Sequence, residues 1–433
     1  MNKIVLIWKT KDLRNKILIV LVLLGLTRIL AHVPIPGVDA SNLKQFFQQS
    51  QFFGLLDIFS GGGLTSFSIA MLGVGPYITA SIIMQLLTIV VPSLAEMQKE
   101  GGEAGRAQIN QFTRYMTIPL TALQAFGTIR LLQSQTVRTS FNLLEAFTPF
   151  QWFITLLSIT AGTMLLMWIG EIMSEYDVGN GISLIIFAGI VARLPSAFGQ
   201  GYQLFKGNPN MIPTVISLIA VVLIVVAGVV LVTEAQRNIP IAYAKRVRGN
   251  KLFGGVNTHL PLRLNQAGVI PIIFAISVML FPALIAQFFV NAKSAFLANN
   301  AQHIINLFNN SQGWFYGATY FILVMVFTYF YTAVVFNPNE IAENVQKNGG
   351  FIPGLRPGPQ TAGFLSSVLN RLTLAGAFFL AVIAVLPLLL PRFVNIPGSF
   401  AIGGTSLLIV VSVVIEVIKK IEAQLTMHDY EGF

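Results

Sequence analysis

The chain has 433 residues, 54% of them hydrophobic and only 10% charged, with a mean hydropathy of +0.72. Soluble domains carry about 25% charged residues, so this composition excludes a soluble globular protein. Cysteine is absent, which removes disulfides, thiolate chemistry and Cys-based metal sites. The net charge of +10 would suit a partner rich in phosphate or acidic lipid headgroups, depending on where the charge sits.

Residues 3–16 are basic and 17–26 apolar, the order found in a secretory signal. No small-residue cleavage pattern follows; Arg28 and then PIPG come instead, so 17–33 reads as an uncleaved first span. A helix needs about 20 apolar residues to cross the hydrocarbon core. Ten stretches are candidates: 17–33, 67–91, 115–132, 152–173, 182–198, 212–233, 268–290, 314–336, 372–391 and 401–418. The fifth is short, as expected of a helix packed inside a bundle. Between the first two, 52–68 reads FFGLLDIFSGGGLTSFS, too polar and glycine-rich to face lipid. Irregular backbone at membrane depth is tolerated only inside protein or beside water. The segment is either an external loop or a short re-entrant element packed between spans.

An even number of spans puts both termini on one side. Loops assigned on that basis carry 19 Lys/Arg on the side of the termini and seven on the other, with Arg28 near a span end. The positive-inside rule then makes both termini cytoplasmic. Five spans plus five would enter from opposite faces, the geometry of an inverted repeat with a pathway between its halves. That repeat rests on topology alone, since the halves show no internal sequence match. Two long basic loops, 234–267 and 337–371, lie on the cytoplasmic side. In the second, Pro353, Gly354, Pro357, Gly358 and Pro359 would hold Arg356 on a rigid turn tip. The loops are either solvated charge clusters that enforce topology or a docking surface for an acidic or phosphate-bearing partner. Their length favours docking.

Nothing points to catalysis. His32, His259, His303 and His428 form no metal-ligand spacing, and neither a nucleophile elbow nor a phosphate loop is present. An ion-coupled transporter, the runner-up class, would keep ionisable residues at mid-membrane. Here Glu171, Glu175 and Glu416 fall at span ends. A docking or insertase factor without a pore is a third class. Aliphatic residues do recur four apart, Val74 with Ile78 and Ile186 with Ile190, which on periodicity alone is ordinary core packing.

A series of specific stretches runs nearly end to end. They are PIPGVD from Pro34, GVGPYITASIIMQLL from Gly73, QFTRY from Gln111 and GEIMSEYDVGNGISLIIFAGIV from Gly170. YAKR follows at Tyr243 and THLPLRLNQAGVIPIIFA at Thr258. VFNPNEIAENVQKNGGFIPGLRPGPQTA at Val335, RLTLAGA at Arg371 and GGTSLLIVV at Gly403 complete the series. In this order the chain resembles the SecY family of protein-translocation channels.

The resemblance implies an all-α membrane protein of ten transmembrane helices in two inverted five-helix halves, 1–200 and 201–433, with a re-entrant plug helix. A lateral gate would be formed mainly by the second, third, seventh and eighth spans. The implied pore ring is Val74, Ile78, Ile186, Ile190, Ile273 and Ile409, where Val74 is smaller than the more usual isoleucine. The implied plug is Gly54, Leu55, Leu56, Asp57, Ile58, Phe59, Ser60, Gly61, Gly62, Gly63, Leu64, Thr65 and Ser66. Docking of the ribosome or the SecA ATPase would fall on Arg237, Arg246, Arg248, Lys251 and Arg356; Asn238 and Asn250 stand where basic residues are often seen. Further implied partners are SecE, SecG, signal peptides, nascent polypeptides and membrane lipid, with no cofactor, metal or catalytic residue. The implied task is to move unfolded polypeptides across the bacterial plasma membrane, or release transmembrane segments laterally into lipid, without nucleotide hydrolysis by the chain itself. The short tail 422–433 implies no further domain.

Overall fold

The computed structural model describes residues 8–35, 57, 60–136, 147–196, 199, 212–243, 246–248, 251–253, 258–290, 294–310, 313–393 and 404–431. The helices of the first part are α1 (Lys11–Leu30), α2 (Gly75–Val90), α3 (Pro92–Glu100), α4 (Gly102–Thr136), α5 (Pro149–Glu175), α6 (Gly181–Val191) and α7 (Ile212–Glu234). Four strands follow: β1 (Gln236–Tyr243), β2 (Arg246–Arg248), β3 (Lys251–Phe253) and β4 (Thr258–Arg263). Then come α8 (Ile270–Phe289), α9 (Ala295–Asn309), α10 (Trp314–Val335), α11 (Pro338–Lys347), β5 (Gly350–Phe351), α12 (Pro359–Phe393) and α13 (Gly404–Glu431).

Each of the ten apolar stretches falls on a helix. Among the described residues, four helices are long and apolar enough to cross a membrane; α2 with the start of α3, bent by 105°, makes a fifth candidate. Proline opens α2, α3, α5, α8 and α11 within the first turn, where its missing N–H costs nothing. Thr148 and Gln151 close a capping box on α5, and the Asn180 side chain accepts the Ser183 N–H at 3.1 Å to start α6. The outer faces of α1, α5, α7, α10 and α12 expose large apolar side chains such as Val22, Phe153, Ile224, Ile322 and Phe378, a surface suited to lipid rather than water.

The expected second span, 67–91, is only partly a helix. Turns occupy most of residues 60–74, and the helix starts at Gly75. Gly73 (φ +56°) and Phe67 (φ +42°) break the right-handed path, and Pro34 bridges Ser68 as in a strand pair. This apolar but non-helical backbone is covered by protein: Ala70, Met71 and Val74 are buried. Gly162 of α5 lies so close that an added Cβ would run into the Ile69 carbonyl.

The all-α expectation is also corrected. The first basic loop is β structure: β1 pairs antiparallel with β4 from Gln236↔Arg263 to Ile241↔Thr258, and β2 pairs with β3 through Arg246↔Phe253 and Arg248↔Lys251. The second loop joins the same sheet, since β5 pairs with β1 at Ala242↔Phe351 and Tyr243↔Gly350. The physical cause is alternation. In NIPIAY, Ile239 and Ile241 are buried while Asn238 and Pro240 are exposed, the period of a half-buried strand. The buried side packs Ile239 and Leu262 against Ala342, Ile352, Ala362, Leu365 and Val368. Two loops distant in sequence therefore share one small core and form a single platform.

Candidate functional site

The expected ring residues come from four helices and the turn before one of them. Val74 caps α2 and Ile78 lies in its first turn; Ile186 and Ile190 are on α6, Ile273 on α8 and Ile409 on α13. All six are buried and belong to one apolar cluster. The structure brings two of them to a special place. A cavity of about 80 Å³ is lined by Ser60, Leu64, Met71, Val74, Ile78, Ile186, Ile273 and further apolar side chains of α8. A second cavity, of about 420 Å³, is lined by Tyr77, Ile78, Asn110, Arg114, Glu171, Glu175, Ile273 and Tyr331 among others. The two share Ile78 and Ile273, one from α2 and one from α8. Ile190 and Ile409 pack in the same cluster but line neither cavity.

The larger cavity is polar. Arg114 Nε donates to Glu171 Oε1 at 2.9 Å, half-exposed. Its side of the bundle is the platform side. Asp177, in the turn after α5, accepts from Lys420 Nζ at 3.2 Å; neighbouring Lys419 pairs with Glu234 at 2.8 Å. Glu234 ends α7, and only Ala235 separates it from β1. The smaller cavity is apolar and faces the residues before α2. Its few polar groups include Gln124, whose Nε2 donates to Thr79 Oγ1 at 3.4 Å, and Thr128.

Of the expected plug, Asp57 and residues 60–66 are described; Gly54, Leu55, Leu56, Ile58 and Phe59 lie outside the described residues. Asp57 is helical, and residues 60–66 are a succession of turns. Three adjacent glycines explain this, because glycine gains nothing from helix and pays the largest backbone entropy. Asp57 organises the turns. It is fully buried and accepts the Thr65 N–H at 2.8 Å, the Thr65 hydroxyl and, at 3.4 Å, the Ser60 hydroxyl. Arg193, just beyond α6, forms an ion pair with the same carboxylate, and Arg28 of α1 donates to the Gly61 carbonyl. Sequence reasoning missed both arginines. The available signal was an ionisable residue in an apolar segment, which requires a partner, but nothing local says which cation supplies it.

Of the expected docking residues, Arg237 is exposed on β1, and Arg356 is exposed in the turn between β5 and α12. Arg246 and Arg248 lie on β2 and Lys251 on β3, with Arg248 opposite Lys251. Among the described residues, no group of three His, Asp or Glu side chains could hold a metal ion.

Comparison with known proteins decides the family. The SecY family model matches residues 68–418. The chain belongs to the SecY family. A protein translocase subunit SecY of Corynebacterium glutamicum is 44% identical over 444 residues, covering 100% of this chain and 99% of that protein. Among solved structures, one described as the structure of a protein conducting channel superposes with a TM-score of 0.65 at 20% identity, covering 94% of this chain and 91% of that one. Sec61 in the canine ribosome-channel complex from the endoplasmic reticulum gives 0.62 at 19%, with 94% and 91% coverage. At such identities these structures establish the shared fold. As a SecY-family member, the chain is a multi-pass membrane protein.

Proposed function

We propose that this chain is the channel subunit of a bacterial Sec translocase, with an hourglass path whose waist lies at Ile78 and Ile273. As a SecY-family protein it is a protein-conducting translocase subunit and not an enzyme. The observation that carries the waist is the meeting of two cavities of opposite character at those two side chains. Val74, Ile186, Ile190 and Ile409 complete the ring. Aliphatic side chains cannot replace the water around an ion, so a narrow ring of them dewets and blocks leakage. The same ring makes no specific hydrogen bond and tolerates many passing side chains.

The chain crosses the bacterial plasma membrane ten times in two five-helix halves, 1–200 and 201–433, with both termini cytoplasmic. The ten helices on the ten apolar stretches support this count. Residues 54–66 are the plug: Ser60 and Leu64 line the smaller cavity directly against the ring. An apolar signal sequence leaves through a lateral gate, gaining roughly 0.8 kcal/mol for each buried methylene. Basic Arg237 and Arg356 on the platform, with Arg246, Arg248 and Lys251 on the separate β2–β3 ladder, receive the ribosome or the SecA ATPase, and SecE and SecG complete the complex. The ribosome-bound state of the canine relative supports that role for the platform.

The deciding experiment deletes 54–66 in the protein reconstituted with SecE and records single-channel conductance. A large conductance in the deletion and near silence in the parent are expected. Silence in both, with the deletion still folded, would remove the plugged-pore reading. Arg356→Glu is expected to cut translocation at least several-fold in vesicles while insertion stays normal; undiminished translocation would remove the docking role of that turn.

A further inference from the structure

The environment of Asp57 goes beyond what the plug reading requires. Asp57 is the only ionisable residue in 54–66, and its side chain is fully buried. A carboxylate withdrawn from water is costly unless hydrogen bonds and a counter-charge compensate it. The hydrogen bonds are local, from Thr65 and Ser60. The counter-charge is not: it comes from Arg193, on the far side of α6 in sequence from Asn180, and one turn beyond ring residue Ile190. Arg193 Nη2 also lies 3.4 Å from Thr65 Oγ1, so one guanidinium engages both the carboxylate and a side chain that donates to it. A second cation, Arg28 of α1, binds the Gly61 carbonyl. Helix α1 and the turn after α6 thus grip the segment through two arginines, and only one of the grips is charge to charge.

The exposures of the pair are unequal. The Arg193 side chain is 34% exposed while Asp57 is 0% exposed. Water already touches one member, and it reaches the other only if the segment moves. While the carboxylate stays dry, the attraction is that of a low-dielectric pair; once both groups are wet, it falls to that of an exposed pair, which contributes little. Resistance is therefore concentrated in the first part of the displacement.

We propose that Asp57 and Arg193 form a latch that sets the threshold for plug release, so that the pair helps determine how good a signal sequence must be to open the channel. This rests on reading 54–66 as the plug. The latch acts as a threshold rather than a spring: it opposes the start of opening and adds little cost afterwards. Arg28 supplies a weaker, charge-to-carbonyl hold that survives loss of Asp57.

The test is a double-mutant cycle in the full complex, reconstituted in planar bilayers, with the deletion of 54–66 run beside it. Asp57→Asn keeps the shape of the side chain and removes its charge. Arg193→Gln leaves the buried carboxylate without a counter-charge. Each is expected to raise the frequency of opening without substrate, on the order of tenfold or more, with Arg193→Gln the larger. Asp57→Asn/Arg193→Gln together are expected to open less often than the product of the two single effects, because the pair can be lost only once. Arg193→Lys, which keeps the charge, is expected to stay near parental silence, and it carries the test together with Asp57→Asn if Arg193→Gln does not fold. A conducting deletion with silent single variants, or with effects that simply multiply, would overturn the latch while leaving the plug intact. A silent deletion would overturn the plug reading and the latch with it.

Discussion

On one side of Ile78 and Ile273 the described residues of the cavity wall include no charged side chain; on the other they include Arg114, Glu171 and Glu175. The charged cavity is also about five times the larger, about 420 Å³ against about 80 Å³. The difference shows how one bundle meets two demands. A wide polar chamber on the platform side costs little to hydrate, and in the proposed channel it is the chamber that would admit a chain of any composition. A small apolar chamber against Ser60 and Leu64 is held together by burial, so water and ions gain nothing by entering it. In the proposed channel the boundary need only be thin, because the contrast across it would do the sealing.

The strongest way to break this contrast is to make the boundary polar. Ile78→Asn with Ile273→Asn is expected to raise ion leak through reconstituted vesicles roughly tenfold or more, because the waist could then hold water. An unchanged leak would mean that the seal lies elsewhere. A second test leaves the boundary alone and loosens the platform: Leu262→Ala empties a fully buried position in the small core and should destabilise it by about 2–5 kcal/mol. The readout is faster proteolysis within 234–267 and 337–371 together, with no rise in leak. Cleavage confined to one loop would argue against a shared core. The smallest effect belongs to the polar chamber. Arg114→Gln removes a half-exposed ion pair and should cost about 1 kcal/mol or less in thermal stability, with leak unchanged. A leak in that variant would show that the chamber contributes to the seal.

Helix positions were legible in the sequence because length and apolarity suffice to place them: stretches such as 268–290 and 314–336 coincide with α8 and α10 to within a few residues. Val74 with Ile78 and Ile186 with Ile190 were legible as periodicity, and spacing does not separate a ring from ordinary packing. Three things were not legible. Residues 67–74 look helical by composition, yet their path is set by Gly73, Phe67 and the bridge to Pro34. The sheet is obscured in the sequence by the density of charge in 234–267; its signal is the alternation around Ile239 and Ile241. The Asp57–Arg193 pair joins residues far apart in sequence, and only the fold brings them together.

Helix α12 belongs to two cores at once. Its first turns place Ala362, Leu365 and Val368 in the platform, and further along Leu380, Ala381, Ile383 and Ala384 sit in the bundle. From Pro359 to Leu386 it has 28 residues, about 42 Å at 1.5 Å per residue. A hydrogen-bonded rod of that length bends far more readily than it shortens. Arg356 stands three residues before the rod begins, and within the bundle the rod packs against α10, whose Tyr331 lines the polar chamber, so a load that reaches the start of α12 has a continuous path toward that chamber. In mechanical terms α12 is a strut, and whatever binds the platform has a handle on the chamber without entering it.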